Sequence, residues 1–442
     1  MRYLGILLVV VSLPVFIYFL KSKPQRMALA AFAVGLLPFT IDALNLDAAL
    51  VNWDMWPGHT KGLIVTLLDS LALAILFSHR RSLGLPPLLF VFLLYIVAAF
   101  VSVLVSDVWL ASTFYATQLI RVLLVFLAVT LLVRDHAPMR SLCHGLAAGA
   151  IIQAAFSISQ KFSGVVQASG TMGHQNLLGM MLHFAVIPLV AIILGGNRDK
   201  LVICGAIAGL VAAVLTASRA TIGFLCVGLA VLVIASLIRK ATAIKWRALV
   251  AGICAFAILV PFALTALGNR TAEEIASGDA EREAFERAAV NMWNDHPFGV
   301  GANRYVIVAN TQGYSDEAGV IAVSGSRAAH VHNIYLLHAA EMGWLGLVAF
   351  LSVIVASIVR GLVFAIKERD NPAGDLVLGA TIAILVLAVH GYFEWIIVLN
   401  QPLYLLAIAM GVVAASPRHA DAATKERQQF RRRDPIVEHV MR

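Results

Sequence analysis

The sequence predicts an all-α polytopic membrane protein with 12–13 transmembrane helices and one large periplasmic loop containing an amphipathic helix. Three observations carry this reading. Apolar runs recur along almost the whole chain at about eighteen residues or more, the length a helix needs to cross a hydrocarbon core. Of the 442 residues, 60% are hydrophobic and only 13% charged, which leaves no room for a large soluble domain. The runs also lack the alternation of a membrane barrel strand, so helices are left as the way to satisfy the backbone in lipid.

Taken in order, the apolar segments are Tyr3–Leu20, Met27–Ile41, Lys61–Ser78, Pro86–Val105, Thr113–Val133, Ser141–Ser159, Leu177–Gly195, Leu201–Thr216, Ala220–Ile238 and Ala248–Leu267. Gly343–Ile366, Leu376–Trp395 and Ile397–Ala414 complete the set. Met27–Ile41 is short and carries Pro38, so it is either re-entrant or kinked. The first segment lacks a small-residue cleavage site and runs into Lys21-Ser22-Lys23, which reads as an uncleaved helix. Cys143, Cys204, Cys226 and Cys254 all fall in apolar runs without metal or disulfide spacing, as small buried hydrophobes do. The division expected is residues 1–267 as bundle helices, 268–335 as periplasmic loop, 336–415 as C-terminal helices and 416–442 as a basic cytoplasmic tail.

Charge sets the orientation. The net charge of +8 sits mostly in short turns and the tail: His79-Arg80-Arg81, Arg134–Arg140, Arg198–Lys200, Arg239–Arg247, Lys367–Arg369 and Arg418–Arg442. Basic turns stay cytoplasmic, so this charge points to a lipid bilayer as partner and not to nucleic acid. The alternating connections then face the periplasm, with Lys161 and Arg219 as the basic residues on the wrong side. The longest of them, Gly268–Ala329, holds Phe285, Ala288, Ala289, Met292 and Trp293 at helical spacing. Glu281, Arg282, Glu286, Arg287 and Asn291 fall opposite, an amphipathic helix suited to lie on the leaflet or cap the bundle. A turn at Pro297-Phe298-Gly299-Val300-Gly301 follows, and Gly319–Ser326 reads as a flexible lid.

Where this loop re-enters the membrane stands His330-Val331-His332-Asn333, and a nine-residue gap leads to Gly343-Trp344-Leu345-Gly346. Histidine titrates nearest neutrality, so two imidazoles at such a junction suit proton transfer at a lipid surface. The same residues also fit a helix-capping Asn333 beside loop histidines. Asp69 and Arg121 lie inside apolar segments, where charges pair or line a polar cavity. An Asp69–Arg121 pair is therefore expected. His390 and Glu394, one turn apart, form a further polar patch.

His332-Asn333 with Gly343-x-x-Gly346 resembles the signature of the bacterial O-antigen ligase and O-antigen polymerase superfamily, and is most like the ligases. Three other stretches resemble that family's pattern in order: Gly170-Thr171-Met172-Gly173-His174-Gln175-Asn176-Leu177, Ser218-Arg219-Ala220, and Arg282 followed by Pro297-Phe298-Gly299-Val300-Gly301. Together they span about residues 170–350. The resemblance implies transfer of a glycan from undecaprenyl diphosphate to a sugar hydroxyl at the periplasmic face of the bacterial inner membrane. The acceptor is lipid A-core in a ligase and another lipid-linked glycan in a polymerase.

On that reading the catalytic residues are His332 as base and Arg219 and Arg282 as guanidinium forks on the diphosphate. Arg287 competes with Arg282, and Glu341 is a further candidate partner near the junction. His330, Asn333, His174, Asn176, Arg121 and Asp69 line the substrate, with the Asp69–Arg121 pair as floor. No cofactor and no metal are implied, because the outward loops lack ligand spacing. The bland alternatives are a snorkelling Arg219 and an Arg282–Glu286 helix pair. From another class, a secondary transporter or flippase would also use Asp69 and Arg121; the lack of half-to-half repeat symmetry speaks against it.

Overall fold

In the computed structural model the described residues are 2–23, 25–79, 83–253, 272–371 and 373–415. The basic tail, Cys254 and most of Ala248–Leu267 lie outside them. The architecture is all-α and polytopic. Among the described residues six helices are long and apolar enough to cross a membrane: Trp109–Leu132 (α5), His136–Phe162 (α6), Gln175–Leu194 (α7), Arg219–Arg239 (α9), Ile334–Lys367 (α14) and Ala373–His390 (α15). Further apolar helices pack among them: α1 (Arg2–Ser22), α2 (Arg26–Leu36), α3 (Leu67–Ser78), α4 (Leu89–Leu104), α8 (Lys200–Leu215) and α16 (Asn400–Ala415).

Close packing rests partly on glycine. A Cβ at Gly35 of α2 would stand 2.5 Å from the carbonyl oxygen of Leu142, and one at Gly145 of α6 would stand 2.0 Å from that of Phe32. The two backbones therefore touch, the small-residue contact that membrane helices use in place of a hydrophobic drive.

Two expectations are corrected at the loop-bearing end. Lys61–Ser78 is not one helix. Residues Asp47–Asn52 (β1) and Gly62–Thr66 (β2) pair as an antiparallel hairpin, and α3 starts only at Leu67. The run Leu63-Ile64-Val65-Thr66 is β-branched and aliphatic, which a pleated edge accepts as readily as a helix. Asp69 consequently stands in the first turn of α3, not deep inside a helix. It closes a capping box with Thr66, whose backbone N–H donates to Asp69 Oδ2 at 2.7 Å.

The second correction concerns α14, which begins at Ile334 and not at Gly343. Gly343 interrupts it with φ 63° and ψ −161°. That backbone is closed to a side chain, and a Cβ there would stand 2.3 Å from the carbonyl oxygen of Pro297. The break admits the Pro297–Gly301 turn. Gly301 N–H donates to Glu341 O at 2.9 Å, Val300 N–H to Ala340 O at 3.1 Å and Trp344 N–H to Pro297 O at 3.1 Å. Two glycine motifs far apart in sequence are thus one docking event.

The long loop folds as α10 (Ala272–Asp295), α11 (Tyr305–Thr311), α12 (Tyr314–Glu317) and α13 (Ser324–Arg327). The apolar stripe of α10 faces inward. Phe285, Ala288, Ala289 and Met292 are buried, and Trp293 meets Trp344 with ring centroids 4.3 Å apart. This helix caps the bundle. The segment expected as a lid is held at its end: Arg327 donates to Asp316 Oδ1 at 2.5 Å and to Val320 O at 3.0 Å.

Candidate active site

Two stretches meet at the loop-bearing end through Glu394. The first is the turn before α7. Gln160 accepts from Ser169 N–H at 3.0 Å and from Gly170 N–H at 2.9 Å, while Gln153 accepts from Thr171 N–H at 2.9 Å. Two glutamines of α6 thereby fix a glycine-containing loop that has no regular partners of its own. The loop ends at His174, whose Nδ1 accepts from Asn176 N–H at 3.2 Å and caps α7. His174 is exposed, and its imidazole serves the cap.

Asn176 points to the second stretch. Its amide donates to Glu394 Oε1, and Glu394 Oε2 stands 3.5 Å from His332 Nδ1. The 3.5 Å separation is an ion-pair distance and too long for a well-formed hydrogen bond. Glu394 is buried, whereas the His332 side chain keeps 31% exposure. The imidazole is thus partly open to solvent and stands beside a buried carboxylate. Phe285 of α10 sits across from it, ring centroids 6.1 Å apart.

His330 is set differently. It is buried, stacks on Trp395 at 4.2 Å and stands 5.8 Å from His59. Burial, and after it the neighbouring His59, push His330 down to about 3. It stays neutral through physiological pH and takes up a proton only reluctantly. Asn333 acts as the cap of α14, its Oδ1 accepting from Tyr335 N–H at 3.1 Å and Leu336 N–H at 3.2 Å. The capping alternative is thus realised for Asn333.

Glu341 does not serve His332. Its Oε2 stands 3.3 Å from His59 Nε2 and accepts from Asn303 N–H at 2.7 Å; its Oε1 accepts from Tyr305 N–H at 2.9 Å. Asn303 in turn donates to Thr60 O at 2.6 Å and Ala111 O at 3.0 Å. The buried carboxylate clamps the β1–β2 connection, the Pro297–Tyr305 segment and α14 together. A buried charge persists only with such multiple partners.

The expected Asp69–Arg121 pair is present. Arg121 Nε meets Asp69 Oδ2 at 2.7 Å, Nη1 donates to Asn400 Oδ1 at 3.3 Å, and Nη2 donates to Tyr404. Tyr404 donates onward to Asp69 Oδ1 at 2.7 Å. Arg121 lies one turn from Gln118, which accepts from Thr60 Oγ1 at 3.0 Å. Each of the three guanidinium nitrogens has a partner, so the pair supplies a braced wall beneath the hairpin.

The free cations are elsewhere. Arg219 starts α9 after the Ser218 cap; it is exposed and has no partner among the described residues. The start of α9 lies against α7, since a Cβ at Gly179 would overlap the Thr221 side chain. On α10, Arg287 donates to Ala318 O at 3.0 Å and faces Glu283 at 3.7 Å. Arg282 is exposed without a partner among the described residues, and the alternative Arg282–Glu286 pair does not form. Of the two competing arginines, Arg282 is the one at liberty. Lys161, the other misplaced cation, is spent on Val166 O at 3.1 Å.

Sequence reasoning underrated Glu394 and missed His59. Glu394 was visible only as part of a polar patch with His390, and nothing local ties it to His332. Among the described residues no group of three or more His, Cys, Asp or Glu is placed to hold a metal ion.

Residues 204–351 match the family model described as O-Antigen ligase. The matched stretch includes Arg219, Arg282, the Pro297–Gly301 turn, His332 and Gly343, and bears out the superfamily resemblance read from those motifs. Asn176, Glu394 and His59 lie outside it. No curated protein matches the chain.

Proposed function

We propose, from that O-antigen ligase match, that the protein is a ligase-type membrane glycosyltransferase. It moves a glycan from undecaprenyl diphosphate to a sugar hydroxyl of lipid A-core, at the periplasmic face of the inner membrane. The observation that carries the reading is the pairing of a half-exposed His332 with the buried Glu394 carboxylate, which Asn176 also holds.

In the reaction His332 takes the proton from the acceptor hydroxyl as that oxygen bonds to the anomeric carbon. The bond from that carbon to the diphosphate oxygen breaks, and the electron pair leaves with the diphosphate. Glu394 compensates the imidazolium. Arg219 and Arg282, both unspent, receive the developing diphosphate charge by paired hydrogen bonds. The Asp69–Arg121 wall and the Glu341 clamp hold the surrounding shape, which is what lets binding energy act as orientation. A diphosphate-linked sugar is already activated, so no further group has to be supplied.

Complementation of a strain lacking the gene tests this. Wild type is expected to restore polymer on lipid A-core, and its loss should leave long lipid-linked chains. Accumulation of single repeat units attached to lipid A-core would instead indicate a polymerase. Arg219→Ala and Arg282→Ala are each expected to lose at least about tenfold in transfer, the worth of a charge-assisted contact. Arg219→Lys should remain impaired, because an ammonium cannot reproduce the fork. Arg287→Gln is expected to keep near-normal transfer, since its contacts are internal.

A further inference from the structure

At the end of the bundle away from the site, α6, α7, α8 and α15 enclose a cavity of about 310 Å³. That is within the size range of small-ligand pockets, roughly 300–1,000 Å³. Part of its wall is polar: His136 and Arg140, one turn apart on α6, with Asn197 and Asp375. The remainder includes apolar Ile192 and Leu376. Beyond Leu376 a smaller void of about 20 Å³ continues among apolar side chains only.

The carboxylates at and beside this cavity already have cationic partners. Asp375 is met by Arg239 Nη1 and lies 4.0 Å from Lys245 Nζ. Asp199 is met by Arg140 at 2.6 Å and by His144 at 2.9 Å. Both carboxylates are therefore answered, and the Arg140 guanidinium holds Asp199 below the usual carboxylate range. Each carboxylate thus carries its own arginine, and the wall is close to neutral before His136 is counted. His136 is exposed and has no partner among the described residues, and Arg198 and Lys200 add exposed positive charge beside Asp199.

We propose that this cavity is a binding site for the phosphate headgroup of an anionic phospholipid from the leaflet at that end. His136 and Arg140 take the phosphate, Asn197 takes a headgroup hydroxyl, and the apolar wall meets the start of the acyl chains. Basic pockets between membrane helices on the cytoplasmic side favour such headgroups through both charge and adjacent apolar surface. A soluble phosphate would use the cations and leave the apolar wall idle. The site is independent of the catalytic reading above.

The test uses full-length protein in detergent, washed free of lipid and titrated with phosphatidylglycerol, phosphatidylcholine or sn-glycerol 3-phosphate. Native mass spectra and melting temperature are followed. One phosphatidylglycerol should bind saturably and raise the melting temperature, with neither effect from the other two at equal concentration. A His136→Gln/Arg140→Gln double variant should bind about tenfold or more weakly, as expected for lost charge-assisted hydrogen bonds. Ile192→Phe, which fills the cavity without touching charge, should weaken binding as well and serves if the double variant does not fold. Equal binding of the two phospholipids, unchanged affinity in both variants, or saturation by glycerol phosphate alone would overturn the proposal.

Discussion

Replacing His332 by alanine is expected to lower glycan transfer by a factor on the order of 10²–10⁴, the usual contribution of a positioned base. The amount of protein in the membrane should not change. The side chain is 31% exposed and its contacts are Glu394 and the face of Phe285, so its removal opens no core cavity. Glu394→Gln separates proton transfer from shape. The amide keeps a hydrogen bond to Asn176 but removes the charge that answers the imidazolium, so transfer should fall by an intermediate factor. His330→Ala should behave in the opposite sense. That ring is buried against Trp395, and its loss should lower the melting temperature before it lowers turnover per folded molecule. The readout is turnover by membrane-purified protein, normalised to folded protein.

The second large effect is expected at Arg121. Arg121→Met leaves the Asp69 carboxylate buried against α5 with its cation gone, a change that typically costs about 3–5 kcal/mol. Melting temperature and yield in detergent should both drop sharply. Asp69→Asn/Arg121→Met removes both charges and should recover most of that loss, because each partner is costly only when left alone. The recovery is what identifies a brace. If Arg121→Met instead keeps full stability and loses donor binding, the guanidinium serves the substrate directly and the wall described above is misassigned.

How much of this was legible in the sequence differs between elements. The bundle was readable because lipid forces a long apolar helix, and length plus composition suffices to see one. The inward stripe of α10 was readable for the same reason, since burial at period 3.6 leaves a direct trace from Phe285 to Trp293. The β1–β2 hairpin was not. Leu63 to Thr66 joins an apolar helix without interruption, and hydropathy does not separate a short buried strand from the helix that follows. Gly343 shows a different limit. Its spacing from His332 could be counted, yet its role as the breach in α14 that admits Pro297–Gly301 appears only when both segments are placed.

The site divides along the same line. His332, Arg219 and Arg282 sit in stretches that carry their own local pattern and could be named in advance. Glu394 and His59 act through partners remote in sequence, and no periodicity connects a late helix end with a loop histidine. Asn333 and His174 illustrate the converse. Both look like ligands on a list of polar residues, and both are seen to close helix N-termini, where unsatisfied backbone N–H groups need an acceptor.

The central proposal is that the His332–Glu394 pair, Arg219 and Arg282 act together on a prenyl diphosphate. A structure of the full-length protein with a bound undecaprenyl-diphosphate-linked glycan tests it most directly. The account predicts diphosphate oxygens within hydrogen-bond reach of Arg219 and Arg282, with the anomeric carbon facing His332. A diphosphate seated elsewhere, with both guanidiniums still in water, would contradict it.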